Sequence, residues 1–299
     1  MTGYRLAAGG SLLDRSRSVR FTFDDSSLEG LAGDTLASAL LASGRRLLGR
    51  SFKYHRPRGL LSDGAEEPNA LLTLHAGARA EPNTRATMVE LRDGLQARSQ
   101  NRWPSLRLDV MSLANLFSPL LGAGFYYKTF MGPGPHAWRW WERPIRRAAG
   151  LGRAGLEPDP DRYEKHHAFC DVVVIGGGPA GLAAAGEAAA ARARVILCEE
   201  RSWFGGLDPC PAPPGVVAMP RTCVWGWYDG NTLAALERCV GGATAQRYWE
   251  IRAGRVVLAT GAVERPPVFA SNDLPGVMLA GAVRRYARLW GAAAGRRIA

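Results

Sequence analysis

Residues 170–191, CDVVVIGGGPAGLAAAGEAAAA, followed at 195–200 by VILCEE, decide how this chain is read. A strand over Val172–Ile175 runs through three spaced glycines into an alanine-rich helix. Gly176 permits the tight turn, Gly178 lets backbone approach a pyrophosphate, and Gly181 allows the helix to lie close against the sheet. Pro179 suits the first helical turn, where a missing N–H costs nothing, and the amides around Ala180 aim partial positive charge at phosphates. An acid roughly 20 residues beyond the glycines accepts hydrogen bonds from an adenosine ribose. Glu199 is the first choice for that role and Glu200 the second.

A lone GxGxxG arises by chance, but here Arg194–Cys198 supplies the second strand, so the whole βαβ unit is present. The acid disfavours a 2′-phosphate, so NAD or FAD is expected rather than NADP. Arg192, Arg194 and Arg201 temper the exclusion of NADP. Further on, Phe204–Gly206 reads FGG. RVVLATG delivers a strand, Val256–Leu258, into the turn Ala259, Thr260, Gly261, where a two-layer nucleotide fold passes close to the dinucleotide.

The chain has 299 residues and a formal charge of +11. All but three of its 38 basic residues are arginine, a bias that fits a GC-rich coding sequence better than a nucleic-acid surface. The five cysteines, Cys170, Cys198, Cys210, Cys223 and Cys239, lack CxxC spacing, which suggests neither a zinc site nor a disulfide framework. Cys170 and Cys198 read as buried thiols. The one long apolar stretch, from Val172, is broken by glycines, Pro179 and Glu187, so no membrane span is expected, and a reducing cytoplasm fits.

Upstream, SVRFTFDDSSLEGLAG holds two strand signals around a polar turn. Asp34 or Thr35 then caps a helix, LASALLAS, that stops at Gly44. Further strand signals stand at Ala70–Leu74 and Thr87–Leu91, an order that reads as a β-grasp domain over residues 1–97. Residues 45–58 hold six basic residues and no acid, and are read equally as an anion grip or a solvated loop. His55 supports no catalytic role, because the sequence places no partner beside it. Residues 98–168 form an aromatic-rich arm with Trp103, Phe125, Tyr126, Tyr127, Phe130, Trp138, Trp140 and Trp141, expected to pack against another domain or subunit. It ends in a polar linker, EPDPDRYEKHH, leading to a Rossmann-like domain over 169–299.

In order along the chain, GDTLASALLASG, GRSFKYHRPRG, EEPNALLTL, SQNRWPSL, GFYYKTFM, EPDPDRYE, GGGPAGLAAA, VVLATGAVERP and NDLPGVMLAGAVRRY resemble the α subunits of heterotetrameric sarcosine oxidases. The resemblance implies a bacterial cytoplasmic oxidoreductase that demethylates sarcosine to glycine and hydrogen peroxide, passing the one-carbon unit to tetrahydrofolate. It implies β, γ and δ partner subunits, NAD in this chain, FAD in the β subunit, with FMN at the interface between the two. Gly176, Gly178, Pro179, Ala180, Gly181, the Glu199–Glu200 pair, Gly206, Ala259, Thr260 and Gly261 match the nucleotide-site positions. No catalytic and no metal-binding residue is assigned.

The implied fold is α+β then α/β: an N-terminal β-grasp domain of the 2Fe-2S ferredoxin type, followed by a Rossmann-like FAD/NAD(P)-binding domain that looks truncated. With no cysteine before Cys170, the expectation is a domain without an iron–sulfur cluster. The family's later segments and its folate domain have no counterpart here. The region after Gly206 also looks short of a crossover helix, which would bare one sheet face. An inactive assembly module or a stand-alone reductase are the alternatives; neither nucleic acid nor membrane is an expected partner.

Overall fold

The computed structural model of the chain describes residues 3–122, 124, 130, 132, 134 and 136–297. They cluster into two compact units, residues 1–159 with 264–299, and residues 160–263.

The first unit begins with a hairpin of β1 (Asp14–Phe23) and β2 (Ser26–Ala32). Its turn residues Asp24 and Asp25 have φ of 46° and 64°, the left-handed pair that a two-residue hairpin turn requires and that aspartate tolerates. Helix α1 (Leu36–Ala42) is buried on all sides. Thr35 is its cap: the Thr35 hydroxyl accepts from the Ser38 amide at 3.1 Å and the Ser38 hydroxyl accepts from the Thr35 amide at 2.9 Å. Asp34 braces this box by accepting from Ser38 Oγ and from Arg5. After β3 (Gly49–Arg50) and β4 (Pro57–Arg58) come β5 (Leu71–Leu74), β6 (Glu81–Arg85) and β7 (Leu95–Ser99).

The five-stranded order is β2-β1-β7-β5-β6, with β7 parallel to β1 through Phe21↔Leu95, the β-grasp arrangement. The expected strand at Thr87–Leu91 is corrected by this pairing. Ala86–Met88 is a short 3₁₀ turn, and the main chain beyond it bonds to the helix start, Leu36 N to Val89 O and Leu91 N to Asp34 O. The slot beside β1 goes to β7, whose Leu95 and Ala97 alternate into the core. Helix α2 (Trp138–Ala148) lies in the arm. Leu113, Leu116, Phe117, Trp103 and Trp140 are exposed, whereas Phe125, Tyr126 and Tyr127 fall outside the described residues.

The second unit is a six-stranded sheet built from β8 (Arg162–Ile175), α3 (Pro179–Ala190), β9 (Val195–Cys198), β10 (Val216–Met219), β11 (Thr222–Tyr228), β12 (Thr232–Arg238) and β13 (Thr244–Leu258). Its order is β10-β9-β8-β13-β12-β11; the first four strands are parallel, and β12 pairs antiparallel with both β13 and β11. The expected linker over 157–167 is corrected in its second half. Arg162–His167 is the opening of β8, paired with Thr244–Glu250 of β13. Polar and charged side chains suit those positions because most of them are at least partly exposed to water.

Val174, Val195 and Leu197 pack under α3 with Ala185. Among the described residues no helix stands between β9 and β10, yet the opposite face is covered. Val173, Ile196 and Cys198 are buried there with Leu233 and Ala235 of β12 and Ile251 of β13. Among the described residues no helix is long and apolar enough to cross a membrane. The last helix, α4 (Ala280–Trp290), clusters with the first unit and ends at Gly291, φ 53°.

Candidate dinucleotide site

The glycines of the quoted stretch are not equivalent. Gly176 has φ 106°, and a Cβ there would lie 2.3 Å from the Ala259 carbonyl oxygen. At Gly181 a Cβ would lie 1.8 Å from the Gly176 carbonyl oxygen. These two glycines let strand, helix and the Ala259 turn touch, so the packed chain itself demands them. Gly178 differs: a Cβ would meet nothing within 4 Å, and its φ of −72° suits any residue. Nothing among the described residues requires glycine there. The open space in front of it, at the start of α3, fits an incoming phosphate that approaches the backbone.

Gly178 itself is the helix cap, no side chain supplies a capping bond, and Pro179 takes the first position with Ala180 exposed beside it. A helix start of that kind directs its dipole at an anion. At the tip of β9, Glu199 Oε2 accepts from the Gly177 amide at 2.6 Å and Oε1 accepts from the Arg201 amide at 3.0 Å. Each carboxylate oxygen has a second lone pair, so these bonds leave capacity for ribose hydroxyls. Glu200 is half-buried next to it, and its carbonyl accepts from Arg238.

Gly177 was not singled out by its spacing, yet it joins the two halves of the site. Its carbonyl accepts from the Gly205 amide at 2.8 Å, and a Cβ on it would strike the ring of buried Phe204 at 2.4 Å. Gly206, φ 68°, follows, with the Trp203 indole donating to its carbonyl at 3.0 Å. The Ala259 amide donates to Ile175 O at 2.8 Å, which sets that turn against the first glycine; Thr260 and Gly261 continue into solvent. The expected positions thus converge at the carboxyl ends of β8, β9 and β13, where doubly wound folds hold ligands.

Of the three nearby arginines, Arg194 is committed to Asp171 by bonds of 2.7 and 3.1 Å, which hold the Asp171 carboxyl down at about 2. Arg201 lies over the Trp203 ring, 5.2 Å from its centroid. The cysteines in the strands β8 and β9 are buried, and burial pushes the Cys198 thiol up to about 12.

In the first unit, the basic segment is largely occupied by its own surroundings. Arg56 and Arg58 bind Asp273, Arg50 donates to Leu106 O, Lys53 donates to Gly122 O and Arg46 covers the Tyr4 ring. His55, expected to stand without an assignable partner, has its Nδ1 2.8 Å from Asp109 Oδ2, both buried. The two are 54 residues apart, a separation that local spacing does not bridge.

Residues 171–208 match a family described as FAD dependent oxidoreductase, and residues 16–102 one described as a 2Fe-2S iron-sulfur cluster binding domain. The second match corrects the expectation of a domain without a cluster, which rested on cysteine position alone. The residues present do not supply the usual thiolates in that domain, since every cysteine lies at 170 or beyond. No group of three or more His, Cys, Asp and Glu side chains is placed to hold a metal ion among the described residues.

The chain is 54% identical over 99% of its length to the sarcosine oxidase α subunit of Rhizobium meliloti (strain 1021), covering 33% of that protein. It is 37% identical over 99% of its length to the α subunit of the sarcosine oxidase from Corynebacterium sp. (strain P-1), covering 30% of it. One of the opine oxidase subunits of Agrobacterium tumefaciens (strain Ach5) matches 39% of the chain at 36% identity, with 28% of its own length covered. An L-proline dehydrogenase from P. horikoshii shares the fold, with a TM-score of 0.62 at 22% identity over 99% of this chain and 50% of that one. These matches make the chain similar, over nearly all of its own length, to the sarcosine oxidase α subunits, of whose length it spans about a third.

Proposed function

We propose that residues 160–263 form an adenine-dinucleotide site of the FAD-dependent oxidoreductase kind, contributed by this chain to an amine-oxidising assembly. The observation that carries the reading is Gly178, a glycine with open space before it at a helix start, which suits the close approach of a phosphate to the backbone. The amides of the first α3 turn hold the pyrophosphate, Glu199 and Glu200 the ribose, and Gly206 with Ala259, Thr260 and Gly261 line the approach. FAD, the alternative to NAD in the sequence reading, is the dinucleotide in the matched family's description. A flavin supplies a two-electron acceptor when bound.

The finer reading follows the relatives' name: oxidation of sarcosine to glycine and hydrogen peroxide, with the one-carbon unit passed to tetrahydrofolate and amine oxidation carried by a partner subunit. Among the described residues the dinucleotide site offers no acid–base pair, so its part is to bind and orient. The exposed Trp103, Phe117 and Trp140 of the arm support a surface covered by a partner in that assembly.

The test is to purify the chain without added cofactor and identify what denaturation releases by absorbance and mass. Stoichiometric FAD is expected. NAD alone would retain the site and remove the flavin assignment; a folded, empty protein that binds neither would end the reading.

A further inference from the structure

Glu67 is buried to 1% exposure in the first unit, and no basic side chain pairs with it among the described residues. Four main-chain amides surround it instead. Leu61 N and Ser62 N donate to Oε2 at 2.8 and 2.7 Å, and Asn69 N and Ala70 N donate to Oε1 at 2.8 and 3.2 Å. Loop 61–70 therefore closes on itself through one carboxylate. A buried charge is costly unless compensated, and charge-assisted bonds from converging amides are the compensation that main chain can offer. Burial raises the carboxyl above its ordinary range while all four amides pull it down.

The same loop carries the seat of α4. Leu61 O accepts from the Leu279 amide at 2.8 Å, Ser62 O from the Tyr286 hydroxyl at 3.0 Å, and Asp63 Oδ1 from Arg285 Nε at 2.6 Å. Residues that donate inward to Glu67 thus accept outward from the helix. Tyr286 and Trp290 of α4 are fully buried, so the seat anchors a large apolar contact.

We propose that loop 61–70 is a main-chain anion nest whose resident is the Glu67 carboxylate, and that this internal anion sets the docking of α4. The site accepts carboxylate chemistry from any source small enough to enter once the side chain is gone. Glu67→Ala leaves a carboxylate-sized space ringed by four unpaired donors, and formate is the probe that fits it.

The experiment is amide hydrogen exchange on the full chain, comparing wild type, Glu67→Ala and Glu67→Gln, with formate or chloride at matched ionic strength. Exchange in Glu67→Ala should quicken by about tenfold or more at residues 61–70 and 280–290, with residues 179–190 unchanged. Formate should restore protection saturably in Glu67→Ala and leave wild type unmoved. Glu67→Gln, which turns an amide donor toward two main-chain donors, should lose protection at one pair of amides and gain nothing from formate. Formate acting no better than chloride overturns the nest. If Glu67→Ala folds in neither salt, Glu67→Gln decides: wild-type protection at 61, 62, 69 and 70 refutes the proposal, and loss there with loosened 280–290 supports it.

Discussion

The Gly177 amide donates to Glu199 Oε2 over 2.6 Å, so the middle glycine of the first turn is tied to the acid at the tip of the neighbouring strand. Glu199 also holds the Arg201 amide and is therefore the clasp between two loops, besides being the ribose acceptor of the proposed site. Glu199→Ala leaves both amides without that partner. It should cost about 1–3 kcal/mol in unfolding free energy, the usual penalty for orphaned, part-buried donors, and it should weaken dinucleotide retention at the same time. Urea titration of the variant, read beside nucleotide content, checks both.

Gly178 and Gly181 should separate binding from folding. Gly181→Ala forces a methyl against the Gly176 carbonyl, 1.8 Å away, and should destabilise by about 1–3 kcal/mol or fail to fold. Gly178→Val meets no atom of the chain within 4 Å of its Cβ, so beyond the roughly 1 kcal/mol cost of valine at a helix cap the empty protein should stay folded while released nucleotide falls sharply. Full nucleotide content in Gly178→Val would remove the phosphate from the space before it.

Asp171 gives the second unit an acid-sensitive pin. Hydrogen bonds from the Arg194 side chain, then from its amide, lower the carboxyl from 3.8 to about 2. A folded value below the unfolded one means stability is in full above 3.8 and drains away as pH falls through about 2. Asp171→Asn should flatten that part of the denaturation-midpoint profile between pH 4 and 2, while leaving the profile above pH 5 parallel to wild type.

Thiol reactivity should follow burial. Cys198, pushed up to about 12 inside the sheet, should resist alkylation in the native state, and Cys210, exposed at the FGG loop, should label at least tenfold faster. Peptide mapping after brief iodoacetamide treatment distinguishes them. Labelling of Cys198 at the Cys210 rate would mean that β9 opens readily.

What the sequence determined by itself is local. Alternation and glycine spacing disclosed the β8–α3–β9 unit, a polar turn between strand signals the first hairpin, and Asp34 or Thr35 a helix start before α1, because each depends on a turn or a period a few residues long. The tertiary structure decided what depends on distant register. Arg162–His167 became strand because β13 lies alongside it, and Thr87–Leu91 lost its strand because β7 occupied the place beside β1. His55 gained Asp109, the basic segment gained Asp273, and Glu67 gathered amides from both ends of its loop. Those partners are chosen by which surfaces meet when the core closes, and no short interval in the chain records that choice.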